Sequence, residues 1–236
     1  VVQFTPPNSL EELVNFRADW LEQYQDAAYA RQYRDAVAKI EAREVALDGP
    51  GSKRALAKAV ARSLFKVMAY KDEYEVARLH TQTGFLEGLE EQFEGDFRVE
   101  YHLAPPLLAR RKPGSDVPAK MRFGPWMRSA FRLLAPLKVL RGTPFDVFGY
   151  SHERRAERQL RSDYLALVDM LAAELSAQNR AAALKLAQVA ESVRGYGHVK
   201  AADLARARAE TARLLQEFRQ PLDAPMKERA LVRMDR

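Results

Sequence analysis

Cysteine is absent from the 236 residues. Its absence rules out disulfides, thiolate metal sites, iron–sulfur ligation and cysteine nucleophiles within the chain, and a thiol-free protein fits the cytoplasm. Histidine is scarce: His80, His102, His152 and His198 make up the whole set. No two of them stand at the spacing of a helix-borne zinc pair and none is flanked by carboxylates at ligand spacing, so no metal ligand is expected. No apolar run approaches the ~20 residues that span a bilayer, and no membrane association is expected. The opening "VVQFTPPNSL" lacks the basic and apolar regions of a signal peptide, and it lacks an initiator Met, so a piece of a longer polypeptide is expected.

The usual catalytic signatures are missing as well. In "GPGSK" (49–53) the lysine follows the serine, which is not the end of a phosphate loop. "GYGH" (195–198) lacks the third glycine and the preceding strand of a dinucleotide site. "EGDF" (94–97) contains Gly-Asp without the Gly-Asp-Gly opening of a thiamine diphosphate site, and no Gly-x-Ser-x-Gly elbow occurs. No catalytic residue is therefore assigned.

What is present is the composition of a globular protein, 47% hydrophobic and 30% charged. The net charge of +6 is unevenly spread: residues 1–104 carry −5, residues 105–161 carry +9 and residues 162–236 carry +2. A central basic block favours an acidic partner, whether protein, phosphate-bearing ligand or nucleic acid. Solvated helix faces paired with the acidic first third are the competing account.

Helical periodicity dominates. Ser9 with Glu12 three residues on is a capping-box signature after Pro6-Pro7, and the apolar spacing predicts one long helix over 10–46, stopped by "DGPGS". A second long helix is predicted over 53–80 and a short one over 85–93. The period then changes: Phe97, Val99, Tyr101 and Leu103 alternate with polar residues as in a half-buried strand. "LLARR" (107–111) and "AKMRF" (119–123) flank a Pro-Gly hairpin turn. Helices follow over 126–141, with Pro136 dividing or kinking it, and over 151–175, capped by Ser151. Two more are predicted over 176–189, capped by Ser176, and 201–218. The predicted fold is mainly α, with long N-terminal helices and a small two- or three-stranded β insert near residues 96–123. Residues 1–8 read as a linker from upstream domains, 9–220 as the helical domain and 221–236 as a loosely held tail.

Three features carry candidate sites. Within "LFKVMAYKDEYEVARLH" (64–80), Lys71, Asp72, Glu75 and Arg78 interrupt an apolar helix face. A carboxylate there needs a partner, and we read these residues as a structural polar joint, with Asp72 paired to an arginine of the basic block; a ligand site is the alternative. Arg154, Arg155, Arg158 and Arg161 crowd the first turns of a helix, where cations oppose the macrodipole. "RGYGHVK" (194–200) offers Arg194, His198 and Lys200 for an anion, or is a helix-ending turn. With Arg110, Arg111 and Lys112 from the β insert, Arg154, Arg155, Arg158, Arg194, His198 and Lys200 are the candidate residues for an acidic partner or a phosphate.

Several long stretches match one family in order: "EELVNFRADWLEQYQDAAYARQY" (11–33), "LFKVMAYKDEYEVARL" (64–79), "QFEGDFRVEYHLAPPLLARR" (92–111), "FGPWM" (123–127), "LKVLRGTPFDVFGY" (137–150), "ERRAERQL" (153–160) and "RGYGHVK". They resemble the C-terminal domain of the long single-chain indolepyruvate ferredoxin oxidoreductases, in the 2-oxoacid:ferredoxin oxidoreductase superfamily. The resemblance runs over about residues 10–218. It implies a parent enzyme that uses thiamine diphosphate, Mg, 4Fe–4S clusters and coenzyme A to decarboxylate aryl 2-oxoacids oxidatively, passing electrons to ferredoxin. The cofactor and cluster motifs of that family belong to upstream domains, so no cofactor is expected on this segment.

The expected role is a non-catalytic structural and docking domain. Its partners would be the upstream catalytic domains of the same polypeptide, a homo-oligomeric copy of the parent and ferredoxin, which is typically acidic. The alternatives are a phosphate or coenzyme A-binding module through residues 105–161 and a stand-alone helical nucleic-acid binder. The last lacks any helix–turn–helix, zinc-finger or ribonucleoprotein signature.

Overall fold

Ser9 caps the first helix as its spacing predicts: its side chain accepts from the Glu12 N–H at 3.0 Å, while Glu12 reaches back to the Ser9 N–H. From there a computed structural model describes residues 7–93, 95, 98–104, 119–195 and 197–219. The protein is mainly helical with a small two-stranded antiparallel sheet. Among the described residues the helices are α1 (Leu10–Tyr24), α2 (Ala27–Asp48), α3 (Ala55–Met68), α4 (Glu73–Thr81), α5 (Phe85–Glu90), α6 (Met127–Leu134), α7 (His152–Glu174), α8 (Arg180–Ser192) and α9 (Gly197–Arg219). A 3-10 segment, Ala135–Leu140, continues α6.

Two expected helices are each divided. The segment 10–46 breaks at Gln25, because Asp26 restarts the chain as the N-cap of α2 by accepting from the Tyr29 N–H at 2.8 Å. The segment 53–80 breaks between Met68 and Glu73. There Asp72 caps α4 by accepting from the Glu75 N–H at 2.8 Å, so the polar run does not cross a continuous helix face. Apolar periodicity survives both breaks, which is why it hides them. Pro136 does divide its helix, at the change from α to 3-10. The cap of α8 is Asn179 rather than Ser176, whose amide instead donates to Asn179 Oδ1.

The sheet pairs β1 (Tyr101–Leu103) with β2 (Met121–Phe123), setting Tyr101 opposite Phe123 and Leu103 opposite Met121. The expected strand at 107–111 and its Pro-Gly turn lie outside the described residues, as does the tail from 220.

The large core is apolar. α3 is at its centre, packed against α1, α2, α7 and α8, and α9 covers α8. Ile40, Val60, Leu64, Val168, Leu171 and Leu186 have no exposed surface. Burying each such side chain contributes about 1.5–3 kcal/mol. A smaller cluster forms where α4 meets α6, around Ala77, Tyr101, Met127, Phe131 and Ala135. Between the two cores lies the polar joint.

Candidate functional site

Three helix ends converge at this joint: the C-terminus of α1, the C-terminus of α3 and the N-terminus of α4. Each would leave backbone groups without partners. The α3 end is satisfied by tyrosine hydroxyls, since Tyr29 donates to the Met68 carbonyl and Tyr24 to the Tyr70 carbonyl, both at 3.0 Å. The α4 start is satisfied by Asp72, whose side chain is 3% exposed. The α1 end is satisfied by Arg141, which donates through Nη1 to the Tyr24 carbonyl and to Gln25 Oε1, each at 2.7 Å. Lys138 also reaches the Gln23 carbonyl.

Arg141 ties these ends together. Its Nε and Nη2 grip both oxygens of Asp72 at 2.5 and 2.9 Å, and its guanidinium lies 3.8 Å from the centre of the Tyr24 ring. The charges also suit the backbone, with a cation at a helix C-terminus and a carboxylate at an N-terminus. Burial works against the Arg141 charge, yet the Asp72 hydrogen bonds prevail and raise its pKa above the ordinary value. Burial, reinforced by the Asp72 charge, raises the Tyr24 phenol well above its usual range and pushes Tyr70 up to about 12.

A second pair stands one turn further along α4. Arg78 makes a two-pronged bond to Glu75 at 2.8 and 2.9 Å, with both side chains buried, and its guanidinium covers the Trp20 ring at 4.8 Å. Lys71 is a correction to the expected joint: it is exposed, while Glu75 is held by Arg78.

The loop 142–150 is organised by Asp146, buried and accepting from the Gly142 N–H (2.9 Å), the Gly149 N–H (3.0 Å) and the Tyr74 hydroxyl (3.2 Å). Gly149 is needed there because a Cβ would come within 2.5 Å of Asp146 Oδ2 and 3.0 Å of Arg158 Nη1. Arg158 donates to the Gly149 carbonyl at 2.7 Å, fastening the loop to α7.

The basic candidates therefore divide. Arg154 pairs with Glu73 at 3.5 Å, Arg158 holds the loop, and Lys200 of α9 pairs with the nearly buried Glu157 at 2.5 Å. Those three cations are occupied inside the fold, and a phosphate pocket through them would have to displace their partners. Glu157 thus turns to α9, and Arg161 lies 5.3 Å from the centre of the Tyr29 ring. Arg155 is exposed, as is Arg194, whose amide donates to Asp203 at 3.0 Å. Arg110, Arg111, Lys112 and the side chain of His198 lie outside what is described.

Sequence reasoning missed Tyr24, Tyr29, Tyr70, Arg141 and Asp146. Asp-x-x-Glu at 72–75 is the spacing that could have announced the α4 cap. An open cleft of about 440 Å³ lies by the start of α3, but its carboxylates and arginines are also engaged: Glu44 accepts from the Leu56 and Ala57 N–H groups, Asp48 pairs with Arg180, and Arg54 with Glu41. Among the described residues no three His, Cys, Asp or Glu residues are grouped to hold a metal, and no helix is long and apolar enough to cross a membrane.

A model of one family, described as a family of unknown function (DUF6537), matches residues 10–213. No curated protein and no solved structure matches the chain.

Proposed function

The chain belongs to the DUF6537 family of unknown function, and we propose that it is a non-catalytic structural and docking domain. Its proposed place is the C-terminal helical part of a cytoplasmic, thiamine diphosphate- and iron–sulfur-dependent indolepyruvate ferredoxin oxidoreductase. The parent would oxidatively decarboxylate aryl 2-oxoacids to acyl-coenzyme A, reduce ferredoxin and assemble as a homo-oligomer. The cofactors would belong to the upstream domains.

The observation that carries this reading is the fate of the buried polar groups. Asp72, Glu75, Arg78 and Arg141 are spent on one another and on helix ends, which is what a scaffold requires. Two of the stretches that carry the resemblance, 64–79 and 137–150, are the two sides of this joint.

The test is Asp72→Asn in the polypeptide that contains this chain, following indolepyruvate- and coenzyme A-dependent ferredoxin reduction. Asparagine keeps the α4 cap and removes the charge. A lowered melting temperature with turnover per folded molecule unchanged is expected. Lost turnover at a wild-type melting temperature, or saturable coenzyme A binding by this chain alone, would overturn the proposal.

A further inference from the structure

Large apolar side chains are left outside the fold mainly in one stretch. Of the ten exposed large hydrophobics among the described residues, seven fall between 126 and 150, and Leu133, Phe145 and Tyr150 are 77%, 75% and 66% exposed. Single exposed hydrophobics are ordinary; a concentration of them marks an interaction surface. Met127 and Phe131 face the α4 cluster, while Trp126 and Leu133, seven residues apart, share the opposite side of α6. In the following loop the directions alternate. Asp146 and Gly149 are buried and Phe148 stacks edge-on against Tyr74, whereas Phe145, Val147 and Tyr150 point out.

That loop is fixed before any partner arrives. Asp146 binds two of its amides, Arg158 one of its carbonyls, and the Tyr150 hydroxyl closes on the Pro144 carbonyl at 2.8 Å. Exposed aromatics on a pre-organised loop can anchor a partner with little loss of conformational entropy. The exposed charge of the stretch is basic. Of its cations Arg141 is held by Asp72, Arg128 lies 4.0 Å from Glu87 and Lys138 reaches the Gln23 carbonyl, which leaves Arg132 exposed. Its one acid, Asp146, is buried, and Arg155 of α7 is exposed, as is the nearby Glu153.

We infer that residues 126–150, with Arg155, form a docking face for a protein surface that has an apolar centre and a carboxylate rim. The inference rests on the docking-domain reading and names its surface. A second copy fits poorly, because two such faces would bring arginines together. Nucleic acid fits poorly too, since Leu133, Val139 and Val147 offer nothing to phosphate, and such interfaces are more polar.

Hydroxyl-radical footprinting tests this by comparing the chain alone with the longer polypeptide. Trp126, Phe145 and Tyr150 should oxidise about fivefold more slowly in the longer polypeptide, because a docked centre excludes water. Phe16, exposed on α1, should keep its rate, and Arg132→Glu with Arg155→Glu should restore the rates of the other three. Unchanged rates at all three overturn the inference: if Phe16 is protected instead, the docking domain survives with another face, and if nothing is protected, both readings fail. Protection that grows with the concentration of the chain alone, or that needs duplex DNA or phosphatidylserine vesicles, also overturns it. So does protection that survives the charge reversal.

Discussion

In the bundle, α2, α3, α7 and α8 meet through Ile40, Leu64, Leu171 and Leu186; α4 packs on α6 through the small cluster around Ala77, but it meets the end of α1 and Arg141 through Asp72, Glu75 and Arg78. The first kind of contact is non-directional, and each side chain has many neighbours that can close around a loss. The second is directional, and each group has one or two partners, so removing either leaves a desolvated charge. α3 can therefore be packed by shape and volume, whereas α4 is placed by orientation. That suits its position, between the core on one side and the exposed 126–150 stretch on the other.

Arg141→Met breaks this contrast most sharply. It leaves Asp72 buried without its cation and frees the α1 carbonyl, and should cost about 3–5 kcal/mol in urea denaturation. Leu171→Ala, in the bundle, should cost about 2–5 kcal/mol through its cavity. The two differ in how they couple. Asp72→Asn added to Arg141→Met should recover about 1–3 kcal/mol, since no buried charge then lacks a partner. Added to Leu171→Ala, it should show no such recovery. Strict additivity of Arg141→Met and Asp72→Asn would mean that the joint is not a single unit.

How far the sequence revealed this follows the same division. The helical class, the small sheet and the Pro136 division were legible because periodicity and proline act locally. That Asp72 needed an arginine partner was expected from an apolar face of one continuous helix; the helix is broken there, but Asp72 is buried as the cap of α4 and makes the same demand. Which arginine meets it was not legible, because Arg141 is 69 residues away and its role depends on where α1 ends. The break at Gln25 and the one before Asp72 were obscured by apolar spacing that runs through both. The arginines of α7 stood out by their crowding, yet Glu73 and the Gly149 carbonyl, which occupy Arg154 and Arg158, are distant in sequence or belong to the backbone, and Glu157 of α7 is likewise taken by a distant residue, Lys200 of α9. The exposed aromatics of 142–150 were visible as composition; their outward direction needed the Asp146 network.

Alkaline pH sharpens the comparison through tyrosine. Burial raises the pKa of Tyr24, Tyr29 and Tyr70 at the joint and of Tyr33 and Tyr164 in the bundle. The fold keeps these protons while the unfolded chain releases them near pH 10, so stability is intact below about pH 10 and falls as pH rises toward the folded values. Each tyrosine contributes up to about 1.4 kcal/mol per pH unit in that window. Melting temperature followed from pH 9 to 11 should drop steeply, and Tyr24→Phe should flatten the drop. Titration of the whole tyrosine absorbance near pH 10 while the far-ultraviolet signal remains native would contradict this.

The smallest effects test redundancy within the bundle. Tyr164 donates to the Ala187 carbonyl at 2.7 Å, and Tyr164→Phe should cost about 1 kcal/mol, the usual net worth of such a bond. Tyr33 donates to the Ala61 carbonyl at 3.0 Å, but Arg17 Nη1 bonds the same oxygen at 2.9 Å. Tyr33→Phe leaves that acceptor satisfied and should cost less than Tyr164→Phe in the same denaturation series. An equal or larger loss at Tyr33 would show that Arg17 does not substitute for the hydroxyl. The bundle would then depend on single directional contacts as the joint does.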